Sequence, residues 1–226
     1  CSSTATPLEA RIEAQPMLYS SGTTGRPKGV KSPFPGVPLG AGEGLTALIA
    51  GLFGGNPDSV YLSPAPLYHA APLRYCAQFQ RLGATLVVMQ KFDAEGALRA
   101  IQDHKITHSQ WVPTMFVRML KLAEEKRTAY DLSSLVFAVH AAAPCPVKIK
   151  ERMLDWWGPV IHEYYAGTEG NGFCYAAPTD WLAHKGTVGK PINCEVHIVD
   201  DEGNEVPIGD EGGVYFGASP AGFEDH

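Results

Sequence analysis

The sequence predicts an α/β fold, a parallel sheet with crossover helices followed by a β-rich C-terminal portion. Short apolar runs rich in β-branched residues alternate with segments of about a dozen residues at helical spacing. Strands that alternate with helices need crossover connections, and crossovers make the sheet parallel. After Gly186 the pattern changes: EVHIVD and GGVYFG alternate like strands around the turn-rich DEGNEVPIGDE, which reads as antiparallel pairing.

Taken in order, residues 1–16 read as a flexible polar lead-in, 17–185 as the α/β core and 186–226 as the β-rich portion. Pro and Gly crowd residues 22–64, a long loop interrupted by the helix-compatible GLTALIAGLF. A strand is expected near Ser59–Leu62, and ATLVVM (84–89) reads as a buried strand. Asp93 stands in N-cap position, and Ala97, Leu98 and Ile101 then recur at helical spacing. ITHSQWV (106–112) is strand-like, and Pro113 opens the next helix at N1, where its missing N–H costs nothing. That helix carries Phe116, Met119, Leu120 and Ala123 on one face and ends in EEKR; Met115 and Met119 read as core. LVFAV (135–139) predicts another buried strand, Val147–Trp157 a helix and Val160–Tyr164 a strand.

Composition excludes several functions. A chain of 226 residues is one large domain or two small ones at ~100–200 residues each. With 45% hydrophobic and 19% charged residues, it can bury a core without metals or disulfides. The net charge of −6 has no offsetting basic block, which argues against nucleic-acid partners. No run approaches the roughly 18 apolar residues of a membrane span. The cysteines are scattered without a CxxC pair, which fits reduced thiols and a cytoplasmic location rather than a zinc ribbon or disulfide framework. The opening stretch lacks the apolar core of a signal peptide. Because the chain opens on Cys1 and its first methionine is Met17, it is expected to be part of a longer protein.

Ligands of open parallel sheets bind beyond the carboxyl ends of the strands. Three segments rich in small and polar residues follow predicted strands: PAPLYHAAP with His69, His140 to Pro144, and Tyr165 to Gly170. The strongest local signal is Ser20-Ser21-Gly22-Thr23-Thr24-Gly25-Arg26-Pro27-Lys28-Gly29. Its glycines let backbone N–H groups turn toward phosphate oxygens, its hydroxyls add donors and Lys28 supplies a charge. Pro27 occupies the place of the second Walker A glycine, and no GxGxxG occurs, so neither a P-loop nor a Rossmann site is indicated. His104 and His108 have metal-ligand spacing, but the predicted helix ends between them. His162-Glu163 starts like a zincin motif, yet Ala166 stands where the second His belongs. Trp111, Met115, Phe173 and Tyr175 suit either an apolar pocket or plain packing.

The run from Tyr19 to Gly29 resembles the phosphate-binding signature of the AMP-forming acyl-CoA synthetase superfamily. YAGTE (165–169) is similar to that family's Tyr-Gly-x-Thr-Glu element, with Ala166 in place of the usual Gly. Ala141, Ala142, Ala143 and Pro144 resemble its adenine-binding turn, Gly186 to Pro191 its Gly-x-x-Gly-x-Pro element, and Pro66 to His69 its aromatic/His segment. The resemblance implies an acid–thiol ligase: a carboxylate attacks the α-phosphate of ATP, pyrophosphate leaves, and coenzyme A takes the acyl group from the adenylate. It implies that Ser20, Ser21, Gly22, Thr23, Thr24, Gly25 and Lys28 hold phosphates, Thr23, Thr24 and Lys28 the β- and γ-phosphates. Thr168 would contact the α-phosphate, Tyr165 stack on adenine beside Ala166 and Gly167, Glu169 hold Mg²⁺, and His69 border the acyl site. The implied substrate is a small carboxylic acid, fatty or aromatic. The family's ribose-binding and hinge elements are not found here, so the chain by itself is expected to turn over little. Two other readings stay open: a non-catalytic nucleotide-binding module, and a ligase that loads a carrier protein.

Overall fold

The computed structural model describes residues 12–13, 16–20, 26, 28–31, 36–38, 41 and 44–218. Leu18–Ser20 (β1) and Lys28–Val30 (β2) form an antiparallel hairpin that sets Ser20 opposite Lys28. Gly44–Leu52 (α1) is the helix expected from the apolar run inside the Pro/Gly-rich loop. There follow Val60–Ser63 (β3), Ala70–Arg81 (α2), Thr85–Val88 (β4), Ala94–His104 (α3) and His108–Trp111 (β5). Pro113–Leu120 (α4), Glu124–Arg127 (α5), Phe137–His140 (β6), Val147–Trp157 (α6) and Ile161–Ala166 (β7) continue the alternation. Phe173–Ala176 (β8), Pro178–Ala183 (α7), Lys190–Pro191 (β9), Cys194–Val199 (β10) and Gly213–Ala218 (β11) close the described chain.

The main sheet has the order β4-β3-β5-β6-β7-β8-β9. Its strands from β4 to β7 are parallel, as predicted. Strand β8 pairs antiparallel with β7, because the connection between Ala166 and Phe173 is too short for a crossover, and β9 pairs antiparallel with β8 in turn. The sheet therefore runs past Gly186 to Pro191, and the separate two-stranded ribbon is β10 with β11.

Alternate residues of each strand feed two cores. Leu62, Ala138 and Ile161 pack with Ala97, Leu98 and Ile101 of α3, Phe116 and Met119 of α4, and Met153 and Leu154 of α6. Their sequence neighbours Tyr61, Phe137 and Val139 face the other way, against Ile49 of α1 and Tyr75, Cys76 and Phe79 of α2. The second core is largely aromatic: the Phe53, Tyr61 and His162 rings stack on Phe137, Phe79 and Phe137 in turn, at 4.3, 4.4 and 4.2 Å. Each fully buried Leu, Ile, Phe or Met side chain contributes about 1.5–3 kcal/mol relative to exposure.

Strand β5 is buried along its length although three of its four residues, His108, Ser109 and Gln110, are polar. Burying such groups is tolerated only when each finds a partner. His108 Nε2 lies 2.9 Å from the Phe53 carbonyl and its Nδ1 2.8 Å from the Thr107 hydroxyl. Trp111 Nε1 donates to Ser109 Oγ at 2.7 Å, and Gln110 Nε2 donates to Tyr164 Oη at 2.8 Å.

Several expectations held at single residues. Asp93 caps α3 by accepting from the Gly96 N–H at 2.6 Å, Pro113 sits in the first turn of α4, and α6 spans the predicted residues. Met115 and Met119 are core. The chain leaves α3 through Lys105, whose φ is +50°, so His104 ends the helix and His108 belongs to β5. Three expectations did not hold. The 84–89 strand is the sheet's edge, paired on one side only, and Val88 is 47% exposed. Helix α4 stops at Leu120, where its apolar stripe ends; Ala123 is exposed, with extended backbone, and EEKR forms a separate turn. That turn is fixed instead by Lys126 to Glu95 at 2.5 Å, with Tyr130 Oη donating to the same carboxylate. Within the stretch read as a lead-in, Glu13 is buried and receives both guanidinium nitrogens of Arg81.

Candidate active site

The carboxyl ends of β3, β6 and β7 lie on one edge of the sheet, since all three run parallel. The segments that leave them are the three picked out by the sequence. After β3, residues 64–69 lead to His69, the N-cap residue of α2, which makes no side-chain cap bond. His69 is exposed, and its ring lies 4.5 Å from that of Tyr68. After β6, Ala141 is buried, while Ala142, Ala143 and Pro144 are exposed. Ala142 has φ +73°, an uncommon conformation for a residue with a Cβ. After β7, the chain turns at Gly167–Gly170, closed by the Gly170 N–H donating to the Gly167 carbonyl at 3.2 Å. Tyr165, Ala166, Gly167 and Glu169 are exposed there and Thr168 is half-buried.

A Cβ on residue 167 would lie 3.0 Å from both Glu169 Oε2 and Asn171 Oδ1. The glycine thus lets two oxygen donors share one small volume. A hard cation held by one or two carboxylates plus substrate phosphates suits such a pair, so the residues present fit Mg²⁺. Among the described residues no cluster of three His, Cys, Asp or Glu is found.

Two further glycines explain themselves by close approach. At Gly172 a Cβ would overlap the Phe216 ring at 1.9 Å, and at Gly189, with φ +95°, it would overlap the Tyr175 carbonyl. Gly189 lies within the predicted Gly186–Pro191 element, and its bare backbone is what lets that element lie against β8. Phe216 of β11 fills the space over Gly172, and its ring stacks beside Tyr165 with centroids 6.0 Å apart.

Beneath this rim lies a charged group surrounded by core. Lys150 Nζ of α6 donates to Glu163 Oε2 of β7 at 2.5 Å, and His140 Nε2 of β6 is 3.4 Å from the same oxygen. The Trp181 ring covers the Lys150 ammonium at 4.8 Å. Burial pushes the Glu163 pKa up and the Lys150 pKa down, and their contact opposes both shifts. Burial, helped by the Lys150 charge, draws His140 down to about 3, which leaves its imidazole neutral.

Of the sequence-predicted site residues, His69, Ala141 to Pro144 and Tyr165 to Glu169 share the sheet edge. Lys28 is exposed on β2, and the backbone of Ser20 pairs with it. Ser21, Gly22, Thr23, Thr24 and Gly25 lie outside the described residues. Trp111 and Met115 belong to the core facing α3 and α4, whereas Phe173 and Tyr175 pack on the opposite face. The four do not form one pocket, because strand alternation sends them to different sides.

Residues 14–220 match the family of AMP-binding enzymes. The chain belongs to that family. A 2-succinylbenzoate–CoA ligase of Bacillus licheniformis is 29% identical over 203 residues, 89% of this chain and 40% of the ligase. 4-Coumarate–CoA ligase 5 of Oryza sativa is 31% identical over 224 residues, 92% of this chain and 39% of the ligase. The Bacillus subtilis o-succinylbenzoate CoA synthetase, solved with its acyl-adenylate intermediate, superposes with TM-score 0.73 at 25% identity, covering 89% of this chain and 40% of that one. The chain thus spans about 40% of the length of these relatives.

Sequence reasoning missed Lys150, Glu163, Asn171 and Phe216. A signal existed for the first two. Lys150 lies on the buried stripe of α6 with Met153, Leu154 and Trp157, and Glu163 takes the inward position after Ile161. A lysine and a glutamate, each at an apolar position of adjoining elements, mark a buried pair. Nothing local to Asn171 or Phe216 signals a role, since both depend on glycines distant or adjacent in space.

Proposed function

We propose that the chain is the nucleotide-binding core of an ATP-dependent acid–CoA ligase. The carboxylate of the substrate attacks the α-phosphorus of ATP and pyrophosphate leaves. The CoA thiol then attacks the acyl-adenylate carbonyl, forming the thioester and releasing AMP. No covalent bond to the protein is needed, so catalysis rests on positioning and charge stabilisation. The observation that carries this reading is the shared sheet edge: His69, the Ala141–Pro144 turn and Tyr165–Glu169 all leave parallel strands there, in a chain of the AMP-binding family.

In this reading Tyr165 offers an exposed ring face to adenine while Phe216 flanks it. The Ala141–Pro144 turn borders the base, Thr168 donates to the α-phosphate and His69 flanks the acyl group. Residues 21–25, which lie between β1 and β2 in sequence, would join Lys28 in holding the β- and γ-phosphates. Glu169, with Asn171, would hold Mg²⁺, which supplies charge neutralisation for the departing pyrophosphate. The named acids of the relatives above carry a ring, which supports a ring-bearing carboxylic acid as substrate and CoA as acceptor.

The test is carboxylate-dependent ATP–pyrophosphate exchange by the intact protein over a panel containing 2-succinylbenzoate, 4-coumarate and fatty acids. Exchange with at least one acid is the expected result. Nucleotide binding without exchange for any acid would replace the ligase reading by a non-catalytic binding module.

A further inference from the structure

The Ala141–Pro144 turn lies between the neutral, fully buried His140 and the buried Lys150–Glu163 ion pair. Lys150 follows the turn, three residues into α6, and donates to the carboxylate of Glu163 on the neighbouring strand, while the neutral His140 ring, just before the turn, packs 3.4 Å from the same oxygen. His140 and Glu163 are register partners in the parallel pairing of β6 with β7. Glu163 stands two residues before Tyr165 on the strand that leads into Gly167–Glu169. The carboxylate therefore ties β7, just before its rim segment, to α6, just after the Ala141–Pro144 turn, and Trp181 of α7 closes the far side of the ammonium.

Stability does not call for this arrangement. Taking a carboxylate and an ammonium out of water costs several kcal/mol per ion, and apolar residues of similar volume usually do as well. Lys150 and His140 are 0% exposed and Glu163 6%, so the cost is borne nearly in full. What an ion pair adds over apolar packing is direction, because its hydrogen bonds fix two elements at one angle and distance. The turn it holds needs that constraint. Ala142 sits at φ +73°, and such backbone persists only where the surroundings over-determine it.

We infer that Lys150 and Glu163, packed against the neutral His140 ring, form a buried positioning clamp that sets the Ala141–Pro144 turn and the Gly167–Glu169 turn at a fixed separation for nucleotide binding. The clamp touches no substrate; it acts through Ala142, Tyr165 and Glu169. The inference rests on the ligase reading for its purpose, but its geometry is testable apart from it.

The first test uses the Glu163→Gln variant of the intact protein and amide hydrogen exchange, which requires no activity. Exchange at residues 141–143 and 167–169 should rise about tenfold, with β5 protection unchanged. Unchanged rim exchange would overturn the clamp, and so would equal acceleration in β5, since that means general loosening. The second test combines Lys150→Met with Glu163→Met, which removes both charges while keeping volume. The KM for ATP in pyrophosphate exchange should rise about tenfold with the acid KM and the unfolding midpoint little changed. A double variant that fails to fold, or that keeps its ATP KM within about twofold, would overturn the clamp. If the unsubstituted protein shows no exchange with any acid, the ligase reading fails, and the hydrogen-exchange result still decides the clamp.

Discussion

The interior of the main sheet and its carboxyl rim are built from the same strands by opposite rules. Strands β5 and β6 are buried at every position, and each buried polar group of β5 has a partner. Just beyond β6, and at and beyond the end of β7, Ala142, Ala143, Tyr165 and Glu169 are exposed. The interior fixes where the rim lies, and the rim is left free to meet a ligand. Substitutions in the interior outside the Lys150–Glu163 clamp should therefore lower stability and spare binding, while those at the rim should weaken binding and spare stability.

Phe116→Ala tests the interior most severely. Its ring is 0% exposed and packs edge-on to His140 and Trp157. Truncation should cost about 3–5 kcal/mol in denaturant unfolding, with nucleotide affinity of the folded fraction unchanged. Glu169→Gln is the converse: pyrophosphate exchange should fall roughly 10²–10³-fold, the range for losing a charge-stabilising group, with no shift in the unfolding midpoint. A midpoint shift would make Glu169 a structural residue and erase the contrast. Lys28→Ala should weaken ATP binding by roughly 1.5–3 kcal/mol, as for a charged hydrogen bond, and unchanged affinity measured by calorimetry removes Lys28 from the site.

Acid should weaken the interior through its buried histidines. Burial lowers His162 to about 4 and His140 to about 3, whereas unfolded histidine titrates near ~6.5. Below that pH the unfolded chain takes up protons that the folded chain refuses, so stability is full above about 6.5 and declines as pH falls. His162→Asn, which can still accept from Tyr175 Oη, should flatten the decline in urea midpoints between pH 6.5 and 4. The smallest expected effect is that of Asp93→Ala. Removing the α3 cap should cost about 1 kcal/mol, with both rim turns unaffected by amide exchange.

The helices α3 and α6, the cap at Asp93 and the β-rich change after Gly186 were legible because each is written in local periodicity or in one residue's chemistry. The rim segments were legible for a related reason: carboxyl ends of parallel strands collect loops whatever the sequence. The edge position of 84–89 was not, because an apolar run reads the same at the edge and in the middle. Trp111 and Phe173 were grouped by character alone, and only the alternation of their strands divided them. Lys150 and Glu163 each stand at an apolar position of its element, but that they meet across α6 and β7 is decided only by the packing of the two.

Local sequence alone settled which segments coil, which extend, and which turns carry hydroxyls, glycines and a carboxylate, since those choices depend on neighbours within a few positions. The order of strands, the burial of Lys150 against Glu163, the seating of Phe216 over Gly172 and the strained backbone at Ala142 came only from the folded chain. These rest on contacts between residues far apart in sequence, whose energies exist only once the layers have closed on one another.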